Sequence, residues 1–254
     1  MARVVILSSF VACGHVGLSA GQPVLQALGH EVIGLPSVVL SNHPGLGVPG
    51  GAVTPVDQLH AMVGALFDHG LLKGADALQT GYLPTPDHVD LAVGLIDRLR
   101  ADLPALRVVV DPVFGDAPGG LYLPEPVAGA IAKALVPRAD IITPNRFEAD
   151  WLAQRGADTA RVVETSAEVA GRFGVLDHAQ DTPTFYPVQR HGGVPHGTGD
   201  ALAAFLAAGV SLGQALGYLQ CLIKHSLGAP HLAIAASQPH WTEAPAHIGE
   251  PHGL

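Results

Sequence analysis

Apolar and polar positions follow two rhythms along this chain, and the switching between them predicts an alternation of strands and helices. Residues 3–9 read as a buried strand, Val4-Val5-Ile6-Leu7 closing on Ser8 and Ser9, and residues 18–28 as a helix stopped by Gly29. Residues 31–39 supply a further apolar strand pair. Helical spacing appears over 56–67 (Val56, Leu59, Val63, Leu66) and over 89–99 (Val89, Val93, Ile96), with short strands predicted at 75–80 and 107–111. Residues 131–135 sit in a helix and 140–142 in a strand. A strand at 161–164 ends in Thr165-Ser166, residues 172–176 and 184–189 form a hairpin, and helices cover 201–208 and 212–227. From about Ser237 the chain is rich in Pro and His without an apolar period, which predicts a loosely packed tail over 237–254 behind one domain of residues 1–236.

Strands and helices in alternation imply an α/β fold with a mostly parallel central sheet and helices on both faces. In such folds ligands bind at the carboxyl ends of the strands. The 254 residues, 48% of them hydrophobic, suffice for one large core. No uncharged apolar run reaches 18 residues and the first apolar stretch is too short for a signal segment, so the expectation is a cytoplasmic protein with no membrane partner.

Charge narrows the partners further. With 13 Lys and Arg against 22 Asp and Glu the net charge is −9, and no basic cluster exists to track a nucleic-acid backbone. Two cysteines without C-x-x-C spacing exclude a disulfide framework. The 14 histidines never fall into a zinc-ligand pattern.

The chemistry gathers at predicted strand ends. Gly197-Thr198-Gly199-Asp200 runs into an apolar helix, so unpaired amides and the helix dipole offer an anion seat there. Asp200 is either a first-turn capping residue or an acid that takes a proton from a substrate hydroxyl while the turn holds a phosphoryl group. No Lys or Arg adjoins the turn, so a phosphate there needs amides and a divalent metal to offset its charge. Asp111 ends a buried strand, where an acid is costly unless paired, hydrated or near a metal. Asn145 and Glu148 have the spacing of a capping box. Cys13-Gly14-His15-Val16-Gly17 forms a glycine loop after the first strand, and Ser41-Asn42-His43 opens a glycine-rich flap running to Gly51. His43 is there either a ligand contact or a solvated turn residue, and Tyr82 either stacks on a flat ring or caps the core.

Taken together, Gly197-Thr198-Gly199-Asp200, Asp111-Pro112-Val113-x-Gly115, Thr143-Pro144-Asn145-x-Phe147-Glu148 and Ser41-Asn42-His43 resemble pyridoxal kinase, within the ribokinase-like superfamily of vitamin and sugar kinases. The resemblance implies a single-domain ribokinase-like fold with a small flap, and ATP-dependent phosphorylation of the 5′-hydroxymethyl group of pyridoxal, pyridoxine or pyridoxamine. It implies Asp200 as general base and Gly197, Thr198 and Gly199 as the anion hole. Ser9, Val16, His43 and Tyr82 would hold the vitamer. Asp111, Asn145 and Glu148 would organise Mg²⁺ and the ATP phosphates, with Tyr122, Thr165, Ser166 and Thr198 along the nucleotide. Asp116 and Thr143 match positions linked to a monovalent cation, K⁺ or Na⁺, and the assembly implied is a homodimer. The alternatives are a hydroxymethylpyrimidine kinase and a non-catalytic vitamin B6-binding homologue. Three departures stand out: Pro44 where threonine is usual, Ser8 and Phe10 where Gln and His flank the serine, and a short link between Glu148 and Val162 lacking one helix.

Overall fold

A computed structural model describes residues 1–157, 161–178 and 183–252. Its centre is a six-stranded sheet in the order β3-β2-β1-β4-β5-β8, formed by β1 (Arg3–Val11), β2 (Glu31–Leu40), β3 (Gly51–Val53), β4 (Ala77–Thr80), β5 (Arg107–Val110) and β8 (Ile141–Ile142). All neighbours run parallel except β2 and β3. The mostly parallel sheet expected from the sequence is therefore present.

Period-two alternation sorts the strand residues to opposite faces. Val5 and Leu7 join Leu59 and Val63 of α2 (Val56–Asp68), Leu95 and Ile96 of α3 (Pro86–Asp102) and Val127 of α4 (Glu125–Ala130) in one core. Val4 and Ile6 join Leu25 of α1 (Leu18–Ala27), Phe205 of α6 (Thr198–Ala207) and Leu222 of α7 (Leu212–Ser226) in the other. Full burial on both faces explains why β1 reads as a continuous apolar run. The helix expected at 131–135 is a wider turn within a helical stretch that begins at Glu125 and tightens again over Val136–Arg138.

Beyond β8, the helix α5 (Arg146–Ala153) leads to β9 (Val163–Val169), which approaches β8 through parallel bridges Ile142–Val162 and Asn145–Thr165. The link from Glu148 to Val162 thus carries one helix, with residues 158–160 outside the described set. β9 then pairs antiparallel with β10 (Arg172–Asp177), which pairs with β11 (Thr184–Pro187), so the predicted hairpin forms. A two-stranded ribbon, β6 (Gly115–Asp116) and β7 (Gly120–Leu121), follows the Asp111 strand.

Three sequence expectations are corrected. Residues 31–39 form one strand rather than a pair, because Pro36 lies within a strand that continues to Leu40. The strand expected to end at Thr165-Ser166 continues to Val169; the register shifts there, and Ser166 takes a left-handed φ of 56° that marks a bulge. The tail is packed: Trp241, in α8 (Gln238–Trp241), is fully buried, donates to the Ile234 carbonyl at 2.9 Å and stacks near Phe205 and Tyr218, while β12 (Glu250–Pro251) pairs with β11. A single aromatic supplies enough buried area to dock a segment that has no periodicity.

Candidate active site

The carboxyl ends of β1, β4, β5 and β8 bring Ser8, Thr80, Asp111 and Thr143 to one side of the sheet, and the start of α6 faces them. Gly197 begins that helix with φ 101° and ψ 1°. A Cβ at Gly197 would lie impossibly close to the His15 carbonyl, so glycine is required for the β1–α1 loop to pack against the turn. Gly197 has no side chain to cap the first turn, which leaves the Thr198 and Gly199 amides available to an anion.

Asp200 is seated between the two loops. Its carboxylate accepts from the Gly17 amide and from its own, but burial outweighs both and raises its proton affinity. Gly81 and Gly199 border the two acids, with a Cβ at Gly81 3.7 Å from Asp200 Oδ1 and one at Gly199 3.6 Å from Asp111 Oδ2, and at Gly81 that Cβ would collide with the Ser8 hydroxyl, so glycine is required there. Gln79, fully buried, donates to the Asp200 carbonyl at 3.3 Å and fixes the turn from below.

Asp111 is buried and its proton affinity is raised strongly, first by burial and then by the charges of Asp200 and Glu148. Glu148 has another immediate task. One oxygen accepts from the amides of Phe114 (2.8 Å) and Gly115 (3.3 Å), the other from Asn145 (3.1 Å), and Asn145 in turn accepts from the Glu148 amide and donates to the Gly115 carbonyl at 2.8 Å. The predicted capping box is present, and it also clamps the loop after Asp111. Burial nonetheless pushes the Glu148 carboxyl up to about 7. The proton affinity of the Tyr122 phenol is raised by partial burial and then by Glu148, Asp111, Asp200 and Asp116, so the ring lies within electrostatic reach of the acids.

No Lys or Arg forms an ion pair with Asp111, Asp116, Glu148 or Asp200 among the described residues. Nor do three His, Cys, Asp or Glu side chains there converge closely enough to hold a metal ion by themselves. The buried Thr143 hydroxyl stands beside Asp111, and its hydrogen bonding offsets only a small part of that rise. A donor set of this kind fits a hydrated cation shared with phosphate oxygens better than an all-protein cage.

Residues 37–177 match the sequence profile of the phosphomethylpyrimidine kinase family. The chain belongs to that family. It is 32% identical to a pyridoxine/pyridoxal/pyridoxamine kinase of Bordetella avium, across 92% of this chain and 87% of that one, and 34% identical to a pyridoxal kinase of Corynebacterium diphtheriae. The second match covers 65% of this chain and 59% of its relative; similar relatives from Leifsonia xyli and Deinococcus radiodurans are spanned over 61% and 54% of their lengths. The fold superposes on the pyridoxal kinase of Leishmania donovani, solved with ADP and ginkgotoxin, with a TM-score of 0.88 at 26% identity over 100% of both chains. The superfamily named by the motifs is thus the one to which this kinase-family chain belongs.

The remaining positions that the resemblance singled out divide in two. Val16 directly precedes Gly17, whose amide reaches Asp200, and Tyr82 follows Gly81 at the end of β4; Ser9 sits at the bulge of β1, with its carbonyl and hydroxyl against Gly17, and the Tyr82 amide donates to neighbouring Ser8. His43 lies on the flap, where Ser41 and Asn42 bond within the flap itself, and Pro44 starts its short helical turn. Asp116 is exposed on β6, where it accepts from the Ala117 amide at 2.8 Å and its charge reaches Glu148 and Tyr122. On β9, Thr165 donates to the Pro144 carbonyl at 3.3 Å and bridges to Asn145, and Ser166 is an exposed bulge residue beside it. Sequence reasoning missed Gly17, Gly81 and Gln79 as supports of Asp200; positive φ at Gly17 and a polar residue inside an apolar strand at Gln79 are the signals that mark them.

Proposed function

We propose that the chain transfers the γ-phosphoryl group of ATP to the 5′-hydroxymethyl group of pyridoxal, pyridoxine or pyridoxamine. The observation that carries this is Asp200 beside the uncapped amides of the Gly197 turn, held by the Gly17 amide. The relatives described as pyridoxal kinases, and the Leishmania donovani structure holding ADP, support it.

In this reading the substrate hydroxyl meets Asp200, whose raised proton affinity makes it a stronger acceptor than a solvated carboxylate. Gly197, Thr198 and Gly199 turn their amides toward the transferring group, where preorganised dipoles act without reorganisation cost. Ser9, Val16, His43 and Tyr82 hold the vitamer ring. Bound Mg²⁺ would supply the positive charge that offsets the nucleotide phosphates. Asp111 would hold its waters, while Glu148 and Asn145 keep the 113–115 loop in place. Tyr122, Thr165, Ser166 and Thr198 would border the nucleotide, and Asp116 with Thr143 would serve a K⁺ or Na⁺ ion. We extend the family likeness to a homodimer working in the cytoplasm; no described helix is long and apolar enough to cross a membrane.

The test is turnover with Mg-ATP across pyridoxal, pyridoxine, pyridoxamine and hydroxymethylpyrimidine. A vitamer is expected to be the preferred acceptor, and Asp200→Asn to lose at least about a hundredfold in kcat, the usual range for removal of a general base. Undiminished turnover in that variant overturns the mechanism. The second reading, hydroxymethylpyrimidine kinase, follows from the family match over residues 37–177, and preference for the pyrimidine would establish it.

A further inference from the structure

The flap and the Gly197 turn meet through two imidazoles that belong to no described motif in common. The rings of His43 and His196 lie with centroids 4.1 Å apart, tilted by 35°. His43 is anchored inside the flap: its Nδ1 accepts from the Gly45 amide at 3.1 Å, and its carbonyl accepts from the Leu46 amide at 2.9 Å. His196 is exposed and directly precedes Gly197. A Cβ on Gly45 would come within 2.8 Å of His196 Nε2 and 2.9 Å of His43 Nδ1, so a residue without a side chain at 45 lets the rings approach. The base of the flap is fastened elsewhere, through the Ala12 and Cys13 amides donating to the Leu40 and Ser41 carbonyls. The side chains of Ser41 and Asn42 and the Gly50 amide bond within the flap itself. The ring contact therefore ties the flap tip, not its root, to the segment that carries the general base.

We propose that His196 is a positioning residue: its ring, packed on His43, holds the flap down over the pocket in front of Asp200. What the flap covers rests on the kinase reading, whereas the contact itself does not. An aromatic pair of this kind contributes enough for a two- to tenfold change, roughly, in the equilibrium it biases. Holding the flap pre-closed favours substrate binding over the chemical step, so the effect belongs in KM.

The experiment joins hydrogen exchange on the ligand-free chain with kinetics. In His196→Ala the Gly45 and Leu46 amides are expected to exchange about two- to tenfold faster. The KM for pyridoxal is expected to rise by a similar factor, with kcat and the KM for ATP unchanged. His196→Phe, which keeps a flat ring, is expected to restore both readouts, and Gly45→Ala, which crowds the rings apart, to reproduce the alanine variant. Unaltered exchange in His196→Ala overturns the clasp, and faster exchange with an unaltered KM overturns its role in holding substrate. A wild-type chain that phosphorylates none of the vitamers counts against the kinase reading alone, because the exchange measurement still decides the clasp.

Discussion

The two ends of the parallel sheet treat acidic side chains in opposite ways. At the amino ends of the strands Glu31, Asp97 and Asp140 each carry a guanidinium. Glu31 pairs with Arg3 at 2.7 Å, Asp140 takes Arg100 at 2.9 Å and the Val108 amide at 2.7 Å, and Asp97 takes Arg138 at 2.8 Å. Arg138 holds the Asp97 carboxyl below its ordinary range. At the carboxyl ends Asp111, Asp116, Glu148 and Asp200 gather without a cation among the described residues, and burial moves the proton affinities of Asp111, Glu148 and Asp200 upward. A surface cavity of about 520 Å³ opens at the amino end, but its Arg100 and Arg107 are already committed to Asp140 and to the Arg138 and Ala207 carbonyls. What sets the carboxyl ends apart is their unbalanced charge. One end is closed in itself, whereas the acids of the other have no counter-charge among the described residues.

The contrast breaks most sharply at Asp111. Asp111→Asn is expected to lower turnover with Mg-ATP by about a hundredfold or more, the scale of removing one electrostatic support of a transition state. It is also expected to raise the melting temperature of the ligand-free protein, since a buried acid disfavoured by Asp200 and Glu148 has been neutralised. Loss of activity joined to loss of stability would mean that Asp111 is satisfied in the empty protein, and the two ends would then be alike.

A second measurement uses pH. Burial holds the folded Glu148 carboxyl at about 7, above its unfolded value of 4.5, so the folded state binds its proton more tightly. Its contribution to stability is full below about pH 4.5 and is lost as pH rises through about 7, on the order of 3 kcal/mol at most. Asp97 at the amino end has the reverse sign: its carboxyl is depressed, so its contribution is present at neutral pH and lost on acidification. Denaturant titrations of the ligand-free protein at pH 5 and pH 8 are expected to show a decline that is flatter in Glu148→Gln. An equal decline in that variant would show that the three amide hydrogen bonds fully offset the burial.

Much of this division was legible in the sequence, for a physical reason. Buried parallel strands must be apolar throughout, so Val4-Val5-Ile6-Leu7 and Val108-Val109-Val110 announced themselves, and the polar residues that interrupt their ends announced the ligand side. Asn145 and Glu148 were legible as a capping box because that interaction is local. The second use of Glu148, on the amides of Phe114 and Gly115, spans more than thirty residues and leaves no spacing to read. The same holds for Gly17 on Asp200, and for Trp241, whose docking depends on Phe205 and Tyr218 rather than on any pattern around it. Thr165 and Ser166 were read as a strand end because two hydroxyl residues interrupt an apolar run, whereas the chain absorbs them as a bulge and continues.

The smallest effect tests the amino end itself. Asp140 receives the Arg100 guanidinium and the Val108 amide on the same oxygen, Oδ2, joining the end of α3 to the starts of β5 and β8. In Asp140→Asn the amide oxygen can still accept from Val108, but the pair with Arg100 loses its charge assistance, and both partners are partly open to water. The expected cost is therefore modest, about 1 kcal/mol in a denaturant titration, and smaller in high salt, where an exposed pair is screened. The values of kcat and KM with Mg-ATP are expected to stay at wild-type level, because no element between Asp140 and the carboxyl ends changes its packing. A drop in kcat would mean that the charge network at the amino end reaches Asp111 through the four residues of β5, and the two ends of the sheet would then be one electrostatic unit.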